Sequence, residues 1–173
     1  MPSSYQAPSR KDKQQTRTSS QSSATNTTST TATVKKVIAG KQGDVFSISP
    51  SNSLHEAVVM LREKGIGALI VKGDDGKLAG ILSERDIVRR LADTPGQTLG
   101  QKVEDIMTKS VQTCEPDDAL ISVLQRMTNG RFRHMPVVEG EAVVGMVTIG
   151  DVVNFRLKEL EYESLQLKQL IVG

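Results

Sequence analysis

The sequence contains one cysteine, two histidines, no tryptophan and five aromatic residues in 173. A lone Cys114 cannot close an internal disulfide, which fits a reducing compartment. Cys114, His55 and His134 leave no ligand set for a zinc site. Nothing around Cys114 resembles the setting of an activated thiol, so a Cys/His nucleophile is not expected. No run approaches 18 consecutive apolar residues, and the N-terminus has no apolar core of signal-peptide type, so neither a membrane span nor secretion is expected. Aromatics amount to 3%, so a core has to be assembled from aliphatic side chains and methionine.

Acidic residues are nearly absent from the first quarter of the chain. Residues 1–43 hold seven Lys and Arg against one acid, Asp12, a balance of +6. The remaining residues hold 15 basic and 19 acidic groups, a balance of −4. The pI of 8.7 is therefore a property of the N-terminal segment, and the mildly acidic remainder argues against duplex nucleic acid as its main partner. From Thr16 to Thr33, 13 of 18 residues are Ser or Thr. Such a stretch buries too little surface to offset its ordering entropy, so residues 1–33 are expected to form a disordered tail. The same composition suits a transit segment, although residues 6–33 offer no apolar helical face. The expected compartment is the cytoplasm, or an organelle matrix if the tail is an address.

Beyond Val34 strands and helices alternate. Val45–Ile48 reads as a short strand ended by Ser49-Pro50, and Ser53 is placed to cap a helix with apolar positions Leu54, Ala57, Val58 and Leu61, stopped by Gly65. Ala68–Val71 and Leu78–Leu82 read as strands around the turn Asp74-Asp75-Gly76-Lys77, followed by a helix from Glu84 to about Leu91. The order then returns: a helix with Leu120, Val123, Leu124 and Met127, ended by Gly130; a strand at Met135–Val138; a strand at Val143–Val147; and a helix from Asp151. Pro50 and Pro116, Leu54 and Leu120, Leu61 and Met127, and Gly67 and Arg133 are all 66 apart, whereas Gly80 and Gly145, and Asp86 and Asp151, are 65 apart. One residue is lost in a hairpin turn, where a deletion is easily accommodated. The chain thus divides into a tail (1–33), a first repeat (34–98), a second repeat (99–158) and a helical extension (159–173).

Each repeat ends its last strand with a small polar signature, Gly80-Ile81-Leu82-Ser83-Glu84-Arg85-Asp86 and Gly145-Met146-Val147-Thr148-Ile149-Gly150-Asp151. One reading is helix capping, with Ser83 or Thr148 as N-cap and Asp in the first turn. The other is a ligand site, in which the hydroxyl and helix N-terminus meet phosphate or ribose oxygen and the carboxylate accepts from a sugar diol. Competing phosphate motifs fail on context. Gly73–Lys77 is too short for a Walker loop and leads into a strand, and Gly65-Ile66-Gly67 precedes a strand where a Rossmann turn would follow one.

The doubled unit with its G-x-x-[ST]-x-x-D signature resembles the cystathionine-β-synthase (CBS) domain, and the tandem pair resembles a Bateman module. The resemblance covers about residues 37–158. Arg131–Val137, followed by Ile149–Val153, looks especially like the stand-alone CBS-pair proteins of bacteria and plant organelles. It implies an α/β (α+β) fold of two β-α-β-β-α repeats about a pseudo-two-fold axis, with two clefts that take AMP, ADP, ATP, NAD(H) or S-adenosylmethionine. Carried over by position, an Asp151 cleft would use Ser49, Leu54, Ile66, Gly67, Arg133, His134, Thr148, Gly150 and Asp151. The Asp86 cleft would use Ala68, Ser83, Arg85, Asp86, Glu115, Leu120, Phe132 and Arg133. Gly67 and Ala68 stand where the second copy has Arg133 and His134, and Glu115 stands where the first has neutral Ser49, so the Asp151 cleft is expected to be the tighter.

Arg131, Arg133 and His134 fit an anion pocket or, more plainly, a solvated edge, and Phe132 is either core or a wall for adenine. The last helix carries Leu157, Leu160, Leu167 and either Leu170 or Ile171 near one stripe. It either packs on its own domain or forms a dimer contact, since the resemblance implies a homodimer. The overall expectation is a non-enzymatic sensor without a required cofactor or dedicated metal site. It binds an adenine nucleotide, with Mg²⁺ where a triphosphate brings it, and signals to a separate partner protein. A nucleic-acid-associated or structural dimerisation scaffold using the basic tail is the alternative reading.

Overall fold

The computed structural model describes residues 32–41 and 45–172. Most of the expected tail lies outside the described residues, but its last two positions already belong to the fold. Leu120 donates its N–H to the Ala32 carbonyl at 2.9 Å, and Thr33 forms a bridge with Ala119. Helix α1 (Val34–Ala39) follows, an element the alternation of residue types does not reveal.

Strand β1 (Ser47–Ile48) runs parallel to β2 (Ala68–Lys72), which pairs antiparallel with β3 (Leu78–Ser83). Between β1 and β2, α2 (Leu54–Lys64) buries Leu54, Ala57 and Leu61. Its start is fixed by a reciprocal Ser53–Glu56 capping box and its end by Gly65 at φ 61°. The Gly73–Lys77 segment is a hairpin turn, closed by Gly73 N–H on the Lys77 carbonyl at 3.0 Å. Helix α3 (Glu84–Asp93) completes the first repeat.

A 3₁₀ turn at Thr98–Gly100 and the short α4 (Val103–Ile106) lead into the second repeat. There α5 (Leu120–Gly130), β4 (His134–Glu139), β5 (Ala142–Thr148) and α6 (Ile149–Val172) reproduce the order of the first. The leading strand is reduced to a single parallel bridge between Cys114 and Val137. The two copies are tied in the same way where hairpin meets helix. Glu84 N–H donates to the Gly67 carbonyl and Ile149 N–H to the Arg133 carbonyl, both at 3.0 Å.

Helix α5 ends at Gly130, as the sequence suggests, but the glycine is not the residue that makes the left-handed turn. Gly130 is its last residue, and Arg131 takes the left-handed cap at φ 57°. A side chain at Gly130 would run into the Phe132 ring, so the glycine serves packing and the arginine carries the turn.

The two cores are not built from contiguous repeats. Val34 and Val37 of α1 are buried with Cys114, Leu120, Val123, Met127, Met135, Val137, Val147 and Val152 of the second repeat. Val103 of α4 is buried with Leu54, Leu61, Leu69, Val71, Leu82 and Ile87 of the first. The segment after α4 also pairs with β3, where Ile81 and Thr108 exchange both backbone hydrogen bonds at 3.0 and 2.9 Å. Each leading helix is therefore donated to the other repeat. Fully burying one such valine is worth about 1.5–3 kcal/mol, enough to couple the two halves.

Candidate functional site

Two cavities lie between the repeats, of about 410 and about 430 Å³, and each holds one copy of the hydroxyl–carboxylate signature. In the first, Ser83 donates its hydroxyl to Asp86 Oδ2 at 2.6 Å, and the Ser83 N–H donates to the same oxygen at 3.0 Å. In the second, the Thr148 hydroxyl and N–H reach Asp151 Oδ2 at 2.8 and 2.7 Å. Both aspartate N–H groups return a bond to the hydroxyl oxygen, at 3.4 and 3.1 Å. The capping reading is thus fulfilled in both copies. It occupies one carboxylate oxygen: among the described residues every hydrogen bond to these aspartates falls on Oδ2, which leaves Oδ1 to accept from a ligand.

Of the residues expected around Asp151, the second cavity gathers Ile66, Gly67, His134, Thr148 and Asp151 itself. Leu54 is instead fully buried in the first core, while Ser49 bonds to Ser51 and Asn52 in the turn before α2. Gly150 is exposed in the first turn of α6 and does not line the cavity. Residues not anticipated there are Lys41, Phe46, Lys64 and Met146. Lys41 matters most: its ammonium lies 2.6 Å from Asp151 Oδ2 and donates to the Met146 carbonyl at 3.1 Å. No repeat logic could place it, because Lys41 precedes the first matched pair of positions. Lys64 lies over the Phe46 ring, 5.2 Å from its centre.

Around Asp86, the first cavity gathers Ser83, Arg85, Phe132 and Arg133 as expected. Ala68 faces the Asp151 cavity instead, Leu120 is buried in the second core, and Glu115 lines neither cavity. Arg131, offered by the sequence to an anion pocket, lines it too, and Arg89, Thr108, Ser110 and Gln112 line it without having been anticipated. Thr108 to Gln112 reach it because the segment after α4 joins β3, a pairing set by the tertiary fold. Arg89 sits one helical turn after Arg85 on α3, which its spacing could have shown.

The distribution of charge is the reverse of the sequence expectation. Arg133 turns to the Asp86 cavity alone, where it joins Arg85, Arg89 and Arg131 against Glu84 and Asp86. None of these four guanidinium groups forms an ion pair with a described residue; Arg85 donates to the Arg131 carbonyl at 3.1 Å. The Asp151 cavity holds two lysines, one of them neutralised by Asp151. Glu115 lines neither cavity, so the repulsion expected from it in the Asp86 cleft is absent, and the carboxylates there are those of Glu84 and Asp86.

His134 stands on the wall shared by both cavities, as does Gly67. A Cβ on Gly67 would lie 3.3 Å from His134 Nε2, so the glycine allows the two strand starts to approach. Burial, and after it the Lys41 charge, hold the imidazole pKa below its ordinary value, while Glu84 and Asp151 oppose that shift. Burial pushes the Cys114 thiol up to about 11, which leaves it protonated at neutral pH and unsuited to nucleophilic attack.

Residues 34–93 and 103–158 each match the CBS domain model. A mitochondrial CBS domain-containing protein of Arabidopsis thaliana, CBSX3, is 35% identical over 126 residues, which cover 70% of this chain and 61% of that protein. This chain therefore matches less than two thirds of that relative's length. The crystal structure of a CBS-domain containing protein from Agrobacterium tumefaciens is 38% identical with a TM-score of 0.70, covering 73% of this chain and 94% of the other. The crystal structure of CBSX2 in complex with AMP is 27% identical with a TM-score of 0.61, covering 73% and 96%.

Proposed function

The chain belongs to the CBS domain family as a tandem pair, and from that premise we propose that it is a non-catalytic regulatory module that binds a phosphate-bearing adenosine nucleotide between its repeats. One observation carries the reading: four guanidinium groups without described ion-pair partners surround the Asp86 cavity, next to the Ser83–Asp86 pair. Asp86 Oδ1 accepts from the ribose diol, and the Ser83 end of α3 with Arg85, Arg89, Arg131 and Arg133 takes the phosphates. Phe132 supplies an apolar wall for adenine. The AMP held by CBSX2 supports the ligand class. The polar residues of the Asp86 cavity are accounted for by capping and the proposed ligand contacts, and among the described residues no base and nucleophile stand in a catalytic arrangement.

The Asp151 cavity is a second, weaker site for the phosphates because its lysines are already engaged. Occupancy shifts the packing of the two repeats only to the extent that the ligand binds two arrangements differently, and that difference is what a separate partner protein reads. Among the described residues no helix is long and apolar enough to cross a membrane. We place the chain in the cytoplasm or, as the name of the Arabidopsis relative supports, in an organelle matrix.

Titration calorimetry of the whole chain with AMP, ATP, NADH, S-adenosylmethionine and adenosine tests this. AMP or ATP is expected to bind more tightly than adenosine, with the advantage lost in Arg133→Ala and binding at that site lost in Asp86→Ala. At roughly 100 times its dissociation constant the nucleotide adds about 2.7 kcal/mol to stability. No heat and no thermal shift with any of the five would overturn the proposal.

A further inference from the structure

The second half of α6 belongs to neither core formed by the described residues. The helix is 24 residues long. Val152 is buried in the second core, and Ile149 and Phe155 pack against it. Beyond Arg156 the apolar side chains are exposed: Leu157 is 52% exposed, Leu160 46%, Leu167 61% and Ile171 83%, and so are Tyr162, Leu165 and Leu170, which lie off that stripe. This removes the reading in which the extension lies on its own domain.

Val153, Leu157, Leu160, Ser164, Leu167 and Ile171 follow one another at alternating steps of four and three, the spacing of a two-stranded coiled-coil seam. The flanking charges identify what covers it. In a parallel, in-register pair the position before one seam residue meets the position five later on the other helix. Arg156, which within its own chain pairs with Glu159 at 3.0 Å, then also meets Glu161 of the second copy, and Glu163 meets Lys168, so both flanking pairs are of opposite sign. An antiparallel pairing that sets Ser164 against Leu160 brings Glu161 against Glu161 and Glu163 against Glu163. Ser164 is the one polar residue in the seam, and a polar residue there favours the register in which it meets its own counterpart.

We propose that the exposed half of α6 is an association surface for a second copy of this chain, paired as a parallel coiled coil along Leu157–Leu160–Ser164–Leu167–Ile171. It joins the two copies end to end at their C-termini and leaves both nucleotide cavities open. The seam spans fewer than three heptads, so the association depends on concentration.

Sedimentation of the whole chain over a range of concentrations, together with Ser164→Cys cross-linking, tests this. Under mild oxidation Ser164→Cys is expected to give a covalent dimer, because the two positions face each other and Cys114, 2% exposed, does not compete. Leu160→Glu with Leu167→Glu is expected to weaken association at least roughly tenfold without moving the thermal midpoint at concentrations where the chain is dissociated, since both side chains are exposed in the single chain. Glu163→Lys alone should weaken it, and Glu163→Lys with Lys168→Glu should restore it. Absence of the cross-link, or an unchanged dissociation constant in the double leucine variant, would overturn the proposal.

Discussion

The Lys41 ammonium lies 2.6 Å from the Asp151 carboxylate, so the aspartate that lines the second cavity is neutralised from within the chain. Asp86 has no such partner among the described residues. Two copies of one signature, alike in their capping bonds, are thus made electrostatically unlike by a residue that precedes the matched positions of the repeat. Lys41→Gln releases the Asp151 carboxylate to accept more strongly from a sugar diol. Because the pair is partly solvent-exposed, adenosine is expected to bind that cavity about two- to fivefold more tightly, as read by calorimetry in an Asp86→Ala background. Unchanged adenosine affinity would show that the ion pair does not restrain the site.

Arg131 is the non-glycine residue at positive φ among those described, and Gly65 occupies its place in the first repeat. A left-handed conformation costs an L-residue roughly 1–2 kcal/mol that glycine does not incur. Arg131→Gly is therefore expected to raise stability by about 1 kcal/mol in urea unfolding while weakening ATP. If the variant is more stable and binds ATP as before, Arg131 is not a phosphate ligand.

His134 makes stability depend on pH. Its folded pKa lies below its unfolded value of about 6.5, because burial disfavours the charged ring. Just below that value the unfolded chain binds more protons than the folded one, so stability is full above pH 6.5 and falls as the pH drops through it towards the folded pKa. The expected result is a lower urea midpoint at pH 5.5 than at pH 7.5, a difference reduced in His134→Gln. Lys41→Gln removes a cation facing the ring and should raise the His134 pKa in an NMR titration.

Gly80 and Gly145 are equivalent in the repeat but not in what they touch. A Cβ at Gly80 would lie 2.8 Å from Met107 Sδ and 2.9 Å from the Thr108 carbonyl, whereas one at Gly145 would lie 3.3 Å from Ile38 Cγ2. The Thr108 carbonyl is held by its bridge to Ile81 and cannot retreat cheaply. Gly80→Ala is expected to cost about 1–3 kcal/mol in urea unfolding, and Gly145→Ala less. Equal costs would mean that the segment after α4 yields as readily as the Ile38 side chain.

Val34→Ala tests the exchange of leading helices. Val34 is fully buried in the second repeat's core although it lies at the start of the first. The cost is expected to be about 2 kcal/mol, with amide exchange accelerated most in β4 and β5. Acceleration confined to β2 and β3 would contradict the core assignment.

The signals readable along the chain were the local ones. Ser53 and Gly65 bound α2 because a hydroxyl cap and a left-handed glycine act within one turn, and the 65–66-residue offset exposed the duplication through Pro50 and Pro116, and Asp86 and Asp151. Helix α1 was not legible, since Val34, Val37 and Ile38 acquire an apolar partner only across the fold. Site membership was legible for Ser83, Asp86, Thr148 and Asp151, whose geometry is a capping turn. It failed for Leu54 and Leu120, which the helix period places equally well in a core, and for Arg133, whose direction depends on how the repeats face each other.

By itself the sequence determined two copies of a strand–helix–strand–strand–helix unit and the hydroxyl–carboxylate pair at the end of each, because periodicity, capping and turn chemistry are short-range. Only the tertiary structure decided that α1 and α4 are exchanged between the cores, that Lys41 closes on Asp151, and that the arginines gather at Asp86. Those outcomes depend on which surfaces bury the most apolar area against each other, a long-range balance that no local pattern encodes.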